Sequence, residues 1–395
     1  MRSLPSMPER FSSRYGIVVR TLCAFFILCC LLSVPARAEE VESGTLPADV
    51  EAGLEGLLAS VPRQGPVPDP AGYAAVLDFV FRPAAETATA RPGKTEQGFG
   101  AFTRDTIKAP LARILRYCYD PDIPAEAVYP SALRRGFWLP GSDLLKQRVA
   151  LWDKMAEKGE PVVLRGAEFE EITPDSFSGC YYSYKLDRLL ILTRHQGRAV
   201  LISVSRQQAP STVGRKGAIV GDDRNWEYVY SPVTGSTMRG LGWVSTYMYD
   251  SSTIAVFYEE TPGSNTTGYA LFKWVKAGWS NLNVVKRSHI LAGSTRFLSG
   301  FKQVLESDKL PPAEELATLG RNLRRTPETE LRKALATYSE HLMQLGEKDS
   351  VLSGSDFWSI LKDAGYAETL SRDELVSVHI KNYMKRKLGK PGIDG

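Results

Sequence analysis

Cysteine and histidine are scarce in this chain. Of five cysteines, Cys23, Cys29 and Cys30 fall in the first 38 residues, which leaves Cys118 and Cys180 for the rest. Two thiols rule out a disulfide framework, and their spacing does not decide whether they pair. The four histidines, His195, His289, His341 and His379, stand in no HExxH or His-x-His pattern. No CxxC occurs either, so neither a metal nor a cofactor is expected. A GxSxG elbow is missing, as is a Ser-x-x-Lys with its Ser-Asp-Asn partner. The glycine-rich stretch 211–221 lacks the Lys-Ser/Thr of a phosphate loop, and it reads as a hairpin loop carrying Arg215 and Lys216. Cys180 with His195 or His289 is the one nucleophile–base pairing left to consider, and sequence cannot bring such a pair together.

Long apolar runs are also lacking. The longest lies between Arg20 and Pro35 and holds 14 residues, short of the roughly 20 that a membrane span needs. Arg2, Arg10, Arg14 and Arg20 precede it, and Ala36-Arg37-Ala38 follows. This is the pattern of a secretory signal peptide over 1–38, with cleavage expected after Ala38 and a periplasmic or secreted product. The segment holds five arginines and one glutamate, so the +4 formal charge of the whole chain resides there. The remainder is neutral, which argues against nucleic acid as a partner.

Beyond the leader, 39–141 reads as an irregular or helical segment broken by prolines. Helices are expected at 48–59 and 106–117, with 82–98 as a linker. A helix is expected from Ser142, where Leu144, Leu145, Val149, Trp152 and Met155 recur at helical spacing. Between 161 and 285 the period falls to two. Val200, Ile202 and Val204 make one such set, and Cys180, Tyr182, Tyr184 and Leu186 another. Trp226, Tyr228 and Tyr230 form a third, and Ile254, Val256 and Tyr258 a fourth. Short turns between these runs imply an antiparallel sheet of roughly seven to nine strands. The period changes again at 288–307, where Ile290, Ser294, Phe297, Phe301, Val304 and Leu305 form one stripe. A long amphipathic helix directly after a meander is expected to bury that stripe against a curved sheet. The expected class is α+β, with a sheet-plus-helix domain at 142–310 and a helical extension at 311–395.

Aromatic residues concentrate in the sheet region. Eighteen of 39 lie between Phe177 and Phe301, and many alternate with Ser, Thr or Gly, as beside Ser203 and Ser205. A dry core prefers Leu, Ile and Val at such places, whereas a small-molecule cavity mixes rings with a few hydroxyls. High strand preference of Tyr and Trp is the competing explanation. The candidate ligand-binding residues are Tyr182, Tyr184, Trp226, Tyr228, Trp243, Tyr247, Trp274, Phe297 and Phe301. His289, at the start of the long helix, joins them.

The element order across 142–307 resembles the helix-grip arrangement of START-related lipid-transfer domains. That resemblance implies a curved sheet and a last helix closing a cavity for a hydrophobic guest, and it carries no residue roles. The expected function is binding or carriage of a lipid-like small molecule in the cell envelope. An exported enzyme using the same cavity is one alternative. A scaffold acting through the C-terminal helices is the other. Lys381, Lys385, Arg386, Lys387 and Lys390 also raise peripheral contact with anionic membrane, against the simpler expectation of solvated cations favoured by the helix dipole.

Overall fold

A computed structural model describes residues 46–88, 90–93, 98–155, 159–176, 179–234, 236–238, 242–244, 246–348, 352–353 and 355–390. The signal peptide expected over 1–38 lies outside them. The helices are α1 (Ala48–Ala59), α2 (Pro70–Val80), α3 (Ala84–Thr87), α4 (Leu111–Tyr119), α5 (Ala125–Val128), α6 (Asp143–Gln147), α7 (Leu151–Lys154), α8 (Arg287–Leu305), α9 (Ala313–Arg325), α10 (Glu328–Ala334), α11 (Ala336–Lys348), α12 (Ser355–Leu361) and α13 (Arg372–Lys387). The strands are β1 (Phe99–Ile107), β2 (Leu133–Trp138), β3 (Val162–Ile172), β4 (Cys180–Tyr181), β5 (Ser183–His195), β6 (Arg198–Gln207), β7 (Ser211–Val213), β8 (Arg215–Ile219), β9 (Tyr228–Thr234), β10 (Ser236–Met238), β11 (Gly242–Val244), β12 (Thr246–Glu259) and β13 (Thr267–Gly278).

The protein is α+β. Its main sheet runs β1-β13-β12-β6-β5-β3-β2, with β7 paired to β12, and these pairings are antiparallel. Strands β4, β8 and β9 form a second, small sheet. Both faces of the main sheet are covered. On one, Leu189, Ile191, Val200, Ile202, Val204, Ile254, Val256, Phe272 and Trp274 form a core with Val50, Leu54, Leu57, Val76, Leu77 and Val80 from α1 and α2. Asp69 caps α2 by accepting from the Ala71 amide (3.0 Å), and Pro70 takes the first helical position, where its missing N–H costs nothing.

On the other face, Leu190, Leu192, Leu201, Phe257, Tyr269 and Leu271 meet Leu298, Phe301, Val304 and Leu305 of α8. Ile290, Ser294, Phe301, Val304 and Leu305 of the expected stripe are buried, while Phe297 is half-buried. Gly300 lets α8 approach the turn before β2, since a Cβ there would run into Ser131. The extension α9–α13 joins the same core through Leu316, Leu331, Tyr338, Leu342, Leu361, Tyr366, Leu375, Ile380 and Met384.

Three expectations need correction. The helix expected at 106–117 is shifted. Residues through Ile107 pair with β13 as strand, and α4 starts only after Pro110, whose φ of −65° suits entry to a helix. The helix expected from Ser142 breaks at Arg148, which sits at φ 50° and pairs with Asp122 at 3.1 Å. Two short helices result. The 211–221 stretch is not a loop, because Ser211–Val213 and Arg215–Ile219 both find strand partners. Strands β1 and β2, from the proline-rich first part, belong to the main sheet. Among the described residues, no helix is long and apolar enough to cross a membrane.

Candidate functional site

The face of the main sheet beneath α8 carries a belt of polar and small residues that interrupts its apolar rows. Register places Ala101, Lys273, Thr253, Ser205, Arg188 and Gly166 side by side across β1, β13, β12, β6, β5 and β3. The next row on that face is Thr103, Leu271, Ala255, Ser203, Leu190 and Leu164. Glu168 and Glu170 follow Gly166 along β3 at the two-residue spacing that keeps them on the same face.

The charges of the belt are organised around Arg188. Its guanidinium donates to Glu168 (Nε to Oε2, 2.9 Å, with a second, shorter contact from Nη2), to Glu170 Oε1 (3.3 Å) and to Ser203 Oγ (3.2 Å). Burial raises the pKa of Glu168 although Arg188 opposes the shift. Burial opposes the charge on Arg188 too, but the two glutamates outweigh it and hold the group firmly cationic. Tyr184 hydrogen-bonds Glu170, and burial lifts its pKa well above the ordinary phenol range. Lys273 Nζ donates to Thr253 Oγ1 at 3.1 Å, and burial lowers its pKa. Tyr119 stands over the belt with a hydrogen bond to Ser203, its pKa raised by burial.

The belt is not sealed. Arg188, Glu168 and Glu170 keep 15%, 14% and 18% of their side-chain surface exposed. Thr253 and Ala255 on the inner strand β12, and Lys273 on β13, are also only half-buried, although Leu271 and Ser203 beside them are buried. Small side chains in the middle of a covered sheet leave room that large ones would fill. These positions keep an exposure that their row neighbours have lost. On the same side of the sheet, next to Phe257, Tyr129 stacks 5.5 Å from Phe297 and 5.2 Å from Phe301.

Of the ten sequence-predicted residues, four border this region. Phe297 and Phe301 belong to that ring stack. Tyr182, half-buried beside Ile290, packs on Tyr184 with ring centroids 5.5 Å apart. His289 lies at the start of α8, where its Nδ1 accepts from the Lys286 amide at 3.4 Å in a capping box. Trp274 is on the opposite face, in the core with α1 and α2, and donates to Gly93 O at 3.3 Å. Tyr247 is 37% exposed and stacks on Tyr249. The side chain of Trp243 lies outside the described residues. Sequence reasoning missed Arg188, Glu168, Glu170 and Lys273. Their signal was a charge at an inward position of an otherwise apolar alternation, such as Lys273 between Leu271 and Val275.

Trp226 and Tyr228 belong to a second buried cluster, under α13. A cavity of about 20 Å³, the size of one water, is lined there by Arg134, Trp226, Tyr228, Tyr230, Tyr338 and Lys385, among others. Lys385 pairs with Glu227, which also accepts from Tyr338 Oη at 3.2 Å. Arg134 pairs with Glu374 at 2.8 Å and lies 3.9 Å from the Tyr230 ring centroid. Lys381 donates to Pro130 O at 2.8 Å, and burial pulls its pKa well down. Arg296 of α8 reaches Asp223 at 2.6 Å and 2.8 Å, tying the long helix to the small sheet. Lys381 and Lys385 are thus buried pillars rather than solvated cations, and Arg386 and Lys387 are the outward-facing pair of that stretch.

Cys118 and Cys180 are not joined by a disulfide. Burial pushes the Cys118 thiol up to about 12, so it is no nucleophile at neutral pH. Among the described residues there is no group of three or more His, Cys, Asp or Glu placed to hold a metal ion. Comparison with protein-family models, with curated proteins and with solved structures finds no match for this chain.

Proposed function

We propose that the protein binds a small amphipathic molecule in the recess between the inner strands and α8, acting as a carrier or receptor in the cell envelope. The observation that supports it is the residual exposure of Lys273, Thr253 and Ala255 on a covered face of the sheet where Leu271 and Ser203 beside them are buried. The apolar part of the guest would lie along Ala255, Leu271, Phe257 and Phe297. Its polar end would meet the belt of Arg188, Glu168, Glu170 and Lys273. Ligand pockets commonly combine an apolar lining with a few fixed polar groups in this way. The charged floor argues for an amphipath rather than a wholly apolar guest, since a wholly apolar guest would strip water from four charges and return no hydrogen bond.

The test is mass spectrometry of the natively purified protein, before and after incubation with mixed lipids and long-chain amphipaths. Retained guests that leave on denaturation, and exchange against added ones, are the expected result. A protein that emerges empty and takes up none of the added compounds would refute the proposal.

A further inference from the structure

We propose that Lys273 is the anion-binding residue of the recess and that the guest is a long-chain monocarboxylate. This rests on the recess reading above and narrows it to a ligand class. A charge held inside a sheet needs a partner. Arg188, Glu168 and Glu170 supply one another with partners, and Ser203 and Tyr184 add hydrogen bonds. Lys273 differs. Its ammonium has three N–H donors, and the hydrogen bond it makes goes to the Thr253 hydroxyl at 3.1 Å. Among the described residues, no carboxylate lies within 4.0 Å of it in an ion pair.

The surroundings say which anion fits. Lys273 sits between Ala101 and Thr253 in its row, two neighbours too small to cover the amine, and it stays half-buried. Ala255 and Leu271 of the adjacent row lead from there toward Phe257 and Phe301. A chain lying over those residues brings its terminal group to Lys273. Two glutamates share the belt, and Glu170 already acts on Lys273 electrostatically. A dianion such as a phosphate monoester would be repelled by both about twice as strongly as a monoanion, and a single negative charge is enough to give Lys273 the direct counter-ion it lacks. Depression of the Lys273 pKa by burial fits the same picture, because a bound carboxylate restores the charged form.

The experiment measures the affinity of the delipidated protein for cis-parinaric acid and for its methyl ester, by fluorescence. The acid should bind about tenfold or more tighter than the ester, a difference of about 1.4 kcal/mol. Lys273→Met should bring the acid down to the affinity of the ester, and a cooperative urea transition with an unchanged slope reports an intact fold. Lys273→Arg should keep the preference for the acid. If Lys273→Met fails to fold, Lys273→Gln, which keeps a donor for Thr253, makes the same test. Equal binding of acid and ester by the unaltered protein, or an acid preference that survives loss of the cation, overturns the role of Lys273 and leaves the recess reading standing. Binding of neither probe overturns both.

Discussion

Replacing Ala255 by Leu asks directly whether the space under α8 is open. Ala255 lies on β12, between Leu271 and Ser203 in its row, with its side chain on the α8 face. The substitution adds three carbons. If a recess is there, each buried carbon contributes up to about 0.8 kcal/mol, so the gain is at most about 2.4 kcal/mol, less whatever the Leu rotamer loses in freedom. If the space is already packed, the same carbons force neighbours off their rotamers at a cost of about 1–3 kcal/mol. The two cases differ in sign. Urea unfolding with linear extrapolation resolves a change of this size, provided the slope is unaltered. The expected outcome is stability equal to or above that of the parent, together with loss of guest binding. A fall of 1 kcal/mol or more, with binding intact, would refute the recess.

Other outcomes follow from the buried charges and close approaches. Lys385→Met should cost about 3–5 kcal/mol, since both partners of the pair with Glu227 are almost fully buried; a loss below about 1 kcal/mol in urea unfolding would mean that the pair behaves as an exposed one. The double change Lys385→Met with Glu227→Gln should recover much of that loss, which a double-mutant cycle reads. Burial opposes ionisation of Glu374, but Arg134, the Ser371 hydrogen bonds and Arg135 outweigh it and lower its pKa. Its contribution to stability is therefore present above the ordinary glutamate pKa and is lost as pH falls through the depressed value, and Glu374→Gln should flatten the acid limb of a stability–pH curve in that window. Gly300→Ala should destabilise by about 1–3 kcal/mol, because the new methyl meets Ser131 and must push α8 outward. Cys118 should resist Ellman's reagent at pH 8 in the native protein and react once urea unfolds it.

The sheet and the long helix were legible because their periods are local. Val200, Ile202 and Val204 alternate whatever they pack against, and the stripe from Ile290 to Leu305 repeats at helical spacing in α8. The strand character of β1 was not legible. Phe99–Ile107 pairs with residues from Thr267 to Val275, far along the chain, and no local period marks it. Face assignment failed for Trp274 for a related reason. Both faces of the sheet are covered, so alternation separates two sets of side chains without saying which one meets α8. The hydroxyls at Ser203 and Ser205 did stand out in the sequence. The charges that complete the belt did not, since only the register between strands sets Arg188 and Lys273 in one row. Lys381 and Lys385 were misjudged because a basic helix end looks alike whether its cations meet water or meet Pro130 and Glu227.

The position of α13 has a consequence in time. Arg134 and Glu227, both far upstream, find Glu374 and Lys385 only when the closing helix arrives. A ribosome must therefore have passed Lys385 before Glu227 meets its cation, whereas Arg134 already has Glu171 3.5 Å away. A chain that stops before Arg372 leaves the buried Glu227 carboxylate without its cation, so it has no stable resting state to wait in, and quality-control proteases should clear it.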